Sequence, residues 1–351
     1  MLARKPICND DCPTSSQTGS APPIAGYLPG NVYSAFPGRQ RVSEGVDSML
    51  RRYVKSGGII SAESIDFEGV SGCDVYNPTA PFRVGDATII AARVEPRDDE
   101  FGSESVFFRK DGERWVPDQS AVTLKMQDPN VKRIGNELLV SGIKVYGGPD
   151  RNYVRQVFFR GTDLHNLTQF AEGPRDMKDI RLSEHHARGR VGVFPRPEGR
   201  IGYREIGSLD ELPHTDLNDP EYLIDFGRGV WAGVNEVHPL DGHFGVLGHV
   251  ARYSKGFYRT PDGTLFQSKH YYPFSCVFDF DTGRISRKRI LATRSDLPGD
   301  IAAKRVDTED VIFPGGIRFG GDTAELYVGV SDAHSFKITI GNPWPGYSSR
   351  N

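Results

Sequence analysis

Five times along this chain an acidic residue leads into a run of strand-forming residues, and that repetition limits the folds open to it more than any other feature. Asp74 stands in "GCDVYNPTAPF", Asp128 in "MQDPNVK", Asp179 in "MKDIRLS", Glu236 in "VNEVHPL" and Asp310 in "TEDVIFPGG", at separations of 54, 51, 57 and 74 residues. After each acid comes an apolar strand: "TIIAARVE", "ELLVSGIKVY", "RVGVFPRPE", "HFGVLGHVARY" and "AELYVGVSDAH". A third strand follows in most units, as in "ESVFFRK" and "VRQVFFRG". Gly and Pro, 40 and 24 in number, break these runs at short intervals, the texture of a many-stranded β protein. Units of roughly 50 residues, each a small antiparallel sheet, predict an all-β, five-bladed β-propeller. Innermost strands of such blades face one axis, so the five acids are expected around one end of a channel. Taken singly, each acid reads more readily as a turn or cap residue than as a functional one. Five in register favour a shared polar centre.

The last interval is the longest because "SKGFYRTPDGTLFQSKHYY" (254–272) reads as an inserted loop or hairpin. Ahead of the repeats, Val42, Val46, Leu50 and Tyr53 in "RVSEGVDSMLRRYVKSGG" (41–58) predict a helix over 41–55, stopped by Gly57-Gly58. Residues 1–22, rich in Ser, Thr and Pro, read as a disordered tail. The expected organisation is this tail, an extension with a helix over 23–64, and a catalytic propeller over 65–351.

Composition removes several classes of function. A net charge of -3 and a pI near 6.3 argue against nucleic acid or an anionic membrane as partner. No apolar run reaches the roughly 18 residues of a membrane span, and the first residues lack a signal-peptide core. Cys8, Cys12, Cys73 and Cys276 are too few and too scattered for a disulfide framework, which suggests a reduced, cytoplasmic setting. Cys8 and Cys12 have no second ligand pair, and His185-His186 reads as a surface turn, so neither a metal nor a cofactor is expected. Nucleotide-binding Gly-rich loops, nucleophile elbows and His-Glu-x-x-His patterns do not occur.

What does occur is a set of cations and imidazoles in the same strands as the acids: Arg93, Lys178, Arg181, Arg196, His238, His249 and Arg252. An acid among fixed cations suits an anionic substrate such as phosphate, which Arg grips in bidentate fashion and Lys as a point charge. Trp231, Tyr203, Tyr253, Phe274, Tyr271 and Tyr272 offer faces for sugar rings or for packing.

The order and spacing of "YNPTAPF…ATIIAARVE", "QDPNVKRIGNELLVSG", "MKDIRLSE…VGVFPRPEG", "GHFGVLGHVARY" and "DVIFPGG…ELYVGVSDAH" resemble the β-mannoside phosphorylases of glycoside hydrolase family 130. They are closer still to the related mannosyltransferase/phosphorylases of glycosyltransferase family 108, over about residues 65–340. The resemblance implies a five-bladed propeller, in agreement with the repeat count, and an inverting β-1,2-mannosyltransferase/phosphorylase. Its partners would be β-1,2-mannooligosaccharide, mannose 1-phosphate (or a nucleotide-mannose donor) and inorganic phosphate. By motif, Asp128 matches the family's catalytic acid; Asn77, Arg93, Asp179 and Asp332 match sugar-site residues. Lys178, Arg196 and His249 match phosphate contacts. Asp74 is added as a further candidate acid near the sugar. Two positions depart from the pattern: Asn130 replaces an Arg after the acid, and Val250 replaces a Gly after the imidazole. In the family, protonation of the leaving oxygen passes through a hydroxyl of the sugar. Two other readings suit the same residues: an inverting hydrolase, with Asp179, Glu236 or Asp310 as base, and a glycan-binding propeller without turnover. The second has no need of the cations. The oligomeric state is left open.

Overall fold

A computed structural model describes residues 38–42, 44–147, 151–185 and 188–345. Within them the chain is nearly all strand, and its curled sheets fall along the sequence into five groups of four or five strands. The last two groups are joined into one eight-stranded sheet by the parallel pairing of His270-Tyr271 with Asp310-Val311. The first sheet holds Cys73–Tyr76, Ala87–Pro96, Glu104–Asp111 and Arg114–Pro117, with Phe82–Val84 added on Ala87–Pro96. The second runs Gln127–Ile134, Glu137–Tyr146, Tyr153–Gly161 and Thr168–Glu172, and the third Arg181–His185, Arg190–Phe194, Ile201–Ile206 and Tyr222–Asp225. In the fourth are Val230–Leu240, His243–Tyr253, Lys269–Asp279 and Arg284–Ile290. The fifth takes Asp310–Gly320, Thr323–Val330 and His334–Gly341, and its outer strand is Ser61–Ser64, from far upstream. The 254–272 segment does contain a small hairpin, Tyr258–Arg259 against Leu265–Phe266.

Local chemistry explains these ladders. Asp241-Gly242 turns Val230–Leu240 back into His243–Tyr253 in two residues, with Gly242 at φ +69°. Asp-Gly supplies the positive φ that such a tight hairpin needs. Central strands are buried on both faces, as in Ala87–Pro96 from Ile89 to Glu95, so they read as continuous apolar runs rather than alternating ones.

Facing sheets share cores in sequence order. Ile89 and Phe107 of the first pack with Leu138 and Val140 of the second. Ile134 and Phe158 pack with Leu182 and Val193 of the third. Phe194 and Tyr203 meet Val246 and Phe278 of the fourth, and Leu247 meets Ile312 and Leu326 of the fifth. Tyr327 of the fifth then packs with Ile90 and Val94 of the first, which closes the series.

The helix spans Val46–Ser56 and ends at Gly57 in the left-handed region. Val46, Met49 and Tyr53 point into the core of the third and fourth sheets. It begins later than the expected 41 because Arg39–Arg41 is instead a strand, parallel to Tyr222–Asp225. The expected tail, 1–22, lies outside the described residues, as do Cys8 and Cys12. Cys276 is free and buried, whereas Cys73 is disulfide-bonded, which the scattered spacing did not suggest. His185 is buried against Phe244 and Phe280, not at the surface, because it ends a strand whose other side meets the fourth sheet. No helix among the described residues is long and apolar enough to cross a membrane.

Candidate active site

An acid before a proline at a strand entrance makes a bulge. The pairing of Gln127–Ile134 with Glu137–Tyr146 slips between Gln127 and Asn130, and Asp128 takes φ +50°. Pro129 has no N–H to offer the ladder, and the bulge re-aims the side chain before it. Asp128 is buried there, and its Oδ1 accepts hydrogen bonds from Asn77 Nδ2 at 2.7 Å and Arg93 Nη1 at 3.3 Å. Its Oδ2 makes no hydrogen bond among the described residues. Asn77, at φ +53°, is itself fitted closely: a Cβ on Gly329 would stand 1.8 Å from its Oδ1. Asp332, half-buried at φ +54°, is near enough for the Arg93 and Asp128 charges to act on it, and Arg305 lies 3.7 Å away. Burial raises its carboxyl above the ordinary range, against the pull of Arg305, Arg93 and Lys269.

The second cluster surrounds Asp179, again at positive φ (+59°), just before Arg181–His185. Its backbone N–H donates to Gln156 Oε1 at 3.0 Å, and Arg196 Nη1 donates to its Oδ2. Arg181 Nη2 and His249 Nε2 are 3.8 and 3.9 Å from its oxygens. Burial opposes the Asp179 carboxylate, but the fixed charges of Arg196, Lys178 and Arg181 outweigh it and hold the group well below the usual range. His249 is pushed the other way for an imidazole, down to about 3, by burial and then by Arg196. It is therefore neutral at physiological pH. Its Nδ1 bonds Asn235 Oδ1 at 2.8 Å, which leaves Nε2 as an unbonded acceptor. A Cβ on Gly233 would lie 2.6 Å from His249 Cε1 and 3.2 Å from Arg196 Cδ, so glycine there makes the space. Lys178 is exposed beside this cluster.

The five acids do not share one fate. Arg181 is acted on by Asp179, Asp128 and Glu236 together, so these three converge. Glu236 accepts the Ile317 N–H at 2.8 Å. Asp74 pairs with Arg97 at 2.7 Å, and Asp310 bonds His270 and Tyr272. Of the cations, Arg252 reaches Asp47 of the helix, and His238 packs on Phe319 and Trp344. Tyr203 and Phe274 are fully buried core residues. Trp231 donates to Tyr271 Oη at 3.0 Å, and Tyr271 stacks on His249.

Comparison with known proteins adds to this geometry. The family model described as "Protein of unknown function (DUF1861)" matches residues 52–346. The chain belongs to the DUF1861 family. Among solved structures it is similar to MPT-1, a GDP-Man-dependent mannosyltransferase from Leishmania mexicana, at 27% identity and a TM-score of 0.77, covering 87% of this chain and 97% of that one. It is also similar to MPT-4, a mannose phosphorylase from Leishmania mexicana in complex with phosphate ion, at 29% identity and 0.75, covering 85% and 93%. A hypothetical protein from Leishmania major matches at 29% identity and 0.73, covering 86% and 96%. No curated protein matches. These likenesses bear out the family resemblance read from the sequence.

Three residues of this DUF1861 chain escaped the sequence reading. Asn235 is the bulged residue between Val234 and Glu236, and its carbonyl accepts from Arg181 Nε at 2.9 Å and Asn130 Nδ2 at 3.0 Å. Its signal was a lone amide in the apolar run "AGVNEV". Glu95 and Lys304 meet across 209 residues. No local pattern marks such a pair.

Proposed function

We propose that this protein transfers mannose reversibly, with inversion, between α-mannose 1-phosphate or a nucleotide-mannose donor and β-1,2-mannooligosaccharides. The observation that carries the reading is the pairing of two unlike centres. Asp128 has one oxygen fixed by Asn77 and Arg93 and the other unbonded, while the Asp179 cluster holds Lys178, Arg181 and Arg196 against a single carboxylate. Two solved relatives, at 27% and 29% identity, carry the names mannosyltransferase and mannose phosphorylase. In this reading the five sheets are blades of one propeller over residues 65–351, with the 23–64 extension supplying the strand that closes the last blade.

Phosphorolysis needs an acid for the departing glycosidic oxygen and a cationic cradle for phosphate. Phosphate is already a nucleophile, so no second carboxylate is needed as base. Asp128 supplies the proton from Oδ2, directly or through a sugar hydroxyl. Asn77, Arg93 and Asp332, with Asp74 behind them, hold the mannose. Lys178 and Arg196 bind phosphate oxygens, and the neutral His249 accepts the hydroxyl of hydrogen phosphate at Nε2. A general acid contributes typically 10²–10⁴-fold, and fixed charges aimed at the transition state add to it. The hydrolase alternative needs a free carboxylate as base. Asp179 is occupied as counter-ion to Arg196 and Glu236 accepts a backbone N–H, which weighs against it.

The test is incubation with β-1,2-mannobiose, with and without phosphate. Mannose 1-phosphate formed only with phosphate is expected. Free mannose released at a rate indifferent to phosphate overturns the reading in favour of hydrolysis, and no turnover favours a binding protein.

A further inference from the structure

We propose that Glu95 is a positioning residue for the mannosyl site, acting on Asp128 through Arg93 and on the Asp332 turn through Lys304. The role rests on the function proposed above. Glu95 is wholly buried and receives five donors. Oε2 accepts from Arg93 Nε at 2.9 Å, Arg93 Nη2 at 2.7 Å and Ser103 Oγ; Oε1 accepts from the Tyr76 hydroxyl and Lys304 Nζ. Two of the three guanidinium nitrogens of Arg93 are therefore taken by Glu95, and the third, Nη1, is the one on Asp128. The guanidinium also lies over the Tyr76 ring, 4.9 Å from its centroid. Arg93 cannot turn without breaking both contacts. Lys304, nearly inaccessible, extends the same control to the last sheet: its backbone N–H donates to Ser331 O at 3.0 Å, one residue before Asp332.

A stabilising role alone explains this poorly. Buried ion networks give up solvation, and apolar residues of similar volume are often as stable or more so. What a five-donor carboxylate supplies is direction. Burial works against its charge, but Arg93, Lys304, Ser103 and Tyr76 outweigh burial and keep the carboxyl below its ordinary range, so it is ionised at neutral pH. Three sequence-distant site elements, around Asn77, Asp128 and Asp332, are thereby tied to one anion.

The experiment measures Glu95→Gln, Arg93→Lys and the double variant on β-1,2-mannobiose plus inorganic phosphate. Gln keeps the volume and can still accept from Tyr76 and Ser103. A loss of about 10²-fold in kcat with KM changed less than about threefold is expected, the scale of a small misplacement of reacting groups. If Glu95 acts through Arg93, adding Glu95→Gln to Arg93→Lys costs no more than about threefold further; losses that multiply overturn the proposal. Should Glu95→Gln fail to fold, Glu95→Gln with Lys304→Met removes one anion and one cation together. The same fall in kcat is then expected, and wild-type kcat overturns the idea. If the wild type turns nothing over, the function reading fails separately. Calorimetric affinity for β-1,2-mannobiose then reads the same coupling, with Arg93→Lys and the double variant binding alike. Unequal affinities, or a wild type that does not bind the disaccharide, overturn the role.

Discussion

Asp128→Asn isolates the proposed proton donor more cleanly than any other change. The amide oxygen can take the place of Oδ1 and accept from Asn77 Nδ2 and Arg93 Nη1, which now sit 2.7 and 3.3 Å away. Arg93 keeps Glu95 as counter-ion, so no buried cation is left unpaired. The cost to stability should be about 1 kcal/mol, one weakened hydrogen-bond set. Activity should suffer far more, because the group at the Oδ2 position becomes an amide that gives up no proton. Loss of a general acid predicts a fall of about 10³-fold in both directions, or about 4 kcal/mol of barrier. The assay is mannose 1-phosphate release from β-1,2-mannobiose and phosphate, paired with thermal melting. A second substrate, a dinitrophenyl β-mannoside, sharpens it: that leaving group departs unprotonated, so the variant should come within about tenfold of wild type. Equal losses on both substrates would show that Asp128 binds or shapes the site rather than protonating it. Near-normal turnover of mannobiose would move the acid to Asp74, whose carboxyl burial raises above the ordinary range.

The anion cluster predicts that Lys178→Ala and His249→Ala each weaken apparent phosphate affinity by about 10- to 150-fold, the worth of a charged hydrogen bond. Acceptor KM should change little; equal effects on both substrates refute the cradle. Gly329→Ala drives a methyl to 1.8 Å from Asn77 Oδ1 and 2.7 Å from its backbone N, so Asn77 must leave Asp128. A stability loss of about 1–3 kcal/mol and a large fall in kcat are expected, and a variant with wild-type kinetics contradicts the tight fit. His249 is neutral in the fold down to about pH 3, whereas an unfolded imidazole protonates below about pH 6.5. Its contribution to stability is thus present above pH 6.5 and is lost as pH falls from there towards 3, by about 1.4 kcal/mol per unit. His249→Gln should flatten the melting temperature against pH in that window, and parallel curves for wild type and variant refute it.

What the chain's own order of residues determined is the succession of sheets. Strand periodicity, Asp-Gly turns and apolar runs are local properties, and Asp74, Asp128, Asp179, Glu236 and Asp310 do fall at or near the first strand of successive sheets. The motif residues Asn77, Arg93 and Asp128 come together, as do Asp179, Arg196 and His249. Only the tertiary structure decided which acids converge. A strand's side chains alternate between faces, so one bulge reverses an assignment that spacing makes; the slips at Asp128-Pro129 and at Asn235 do this. Asp310 and Asp74, heading their units just as regularly, turn to His270 and Arg97 instead. Long-range partnership was equally hidden. Ser61–Ser64, too short and polar to announce a strand, finds its ladder only because His334–Gly341 presents an open edge. Glu95 and Lys304, unremarkable in sequence, become a buried ion pair because the last sheet packs against the first. Charge, burial and distance at that meeting point are properties of the closed series of sheets, and no stretch of chain carries them alone.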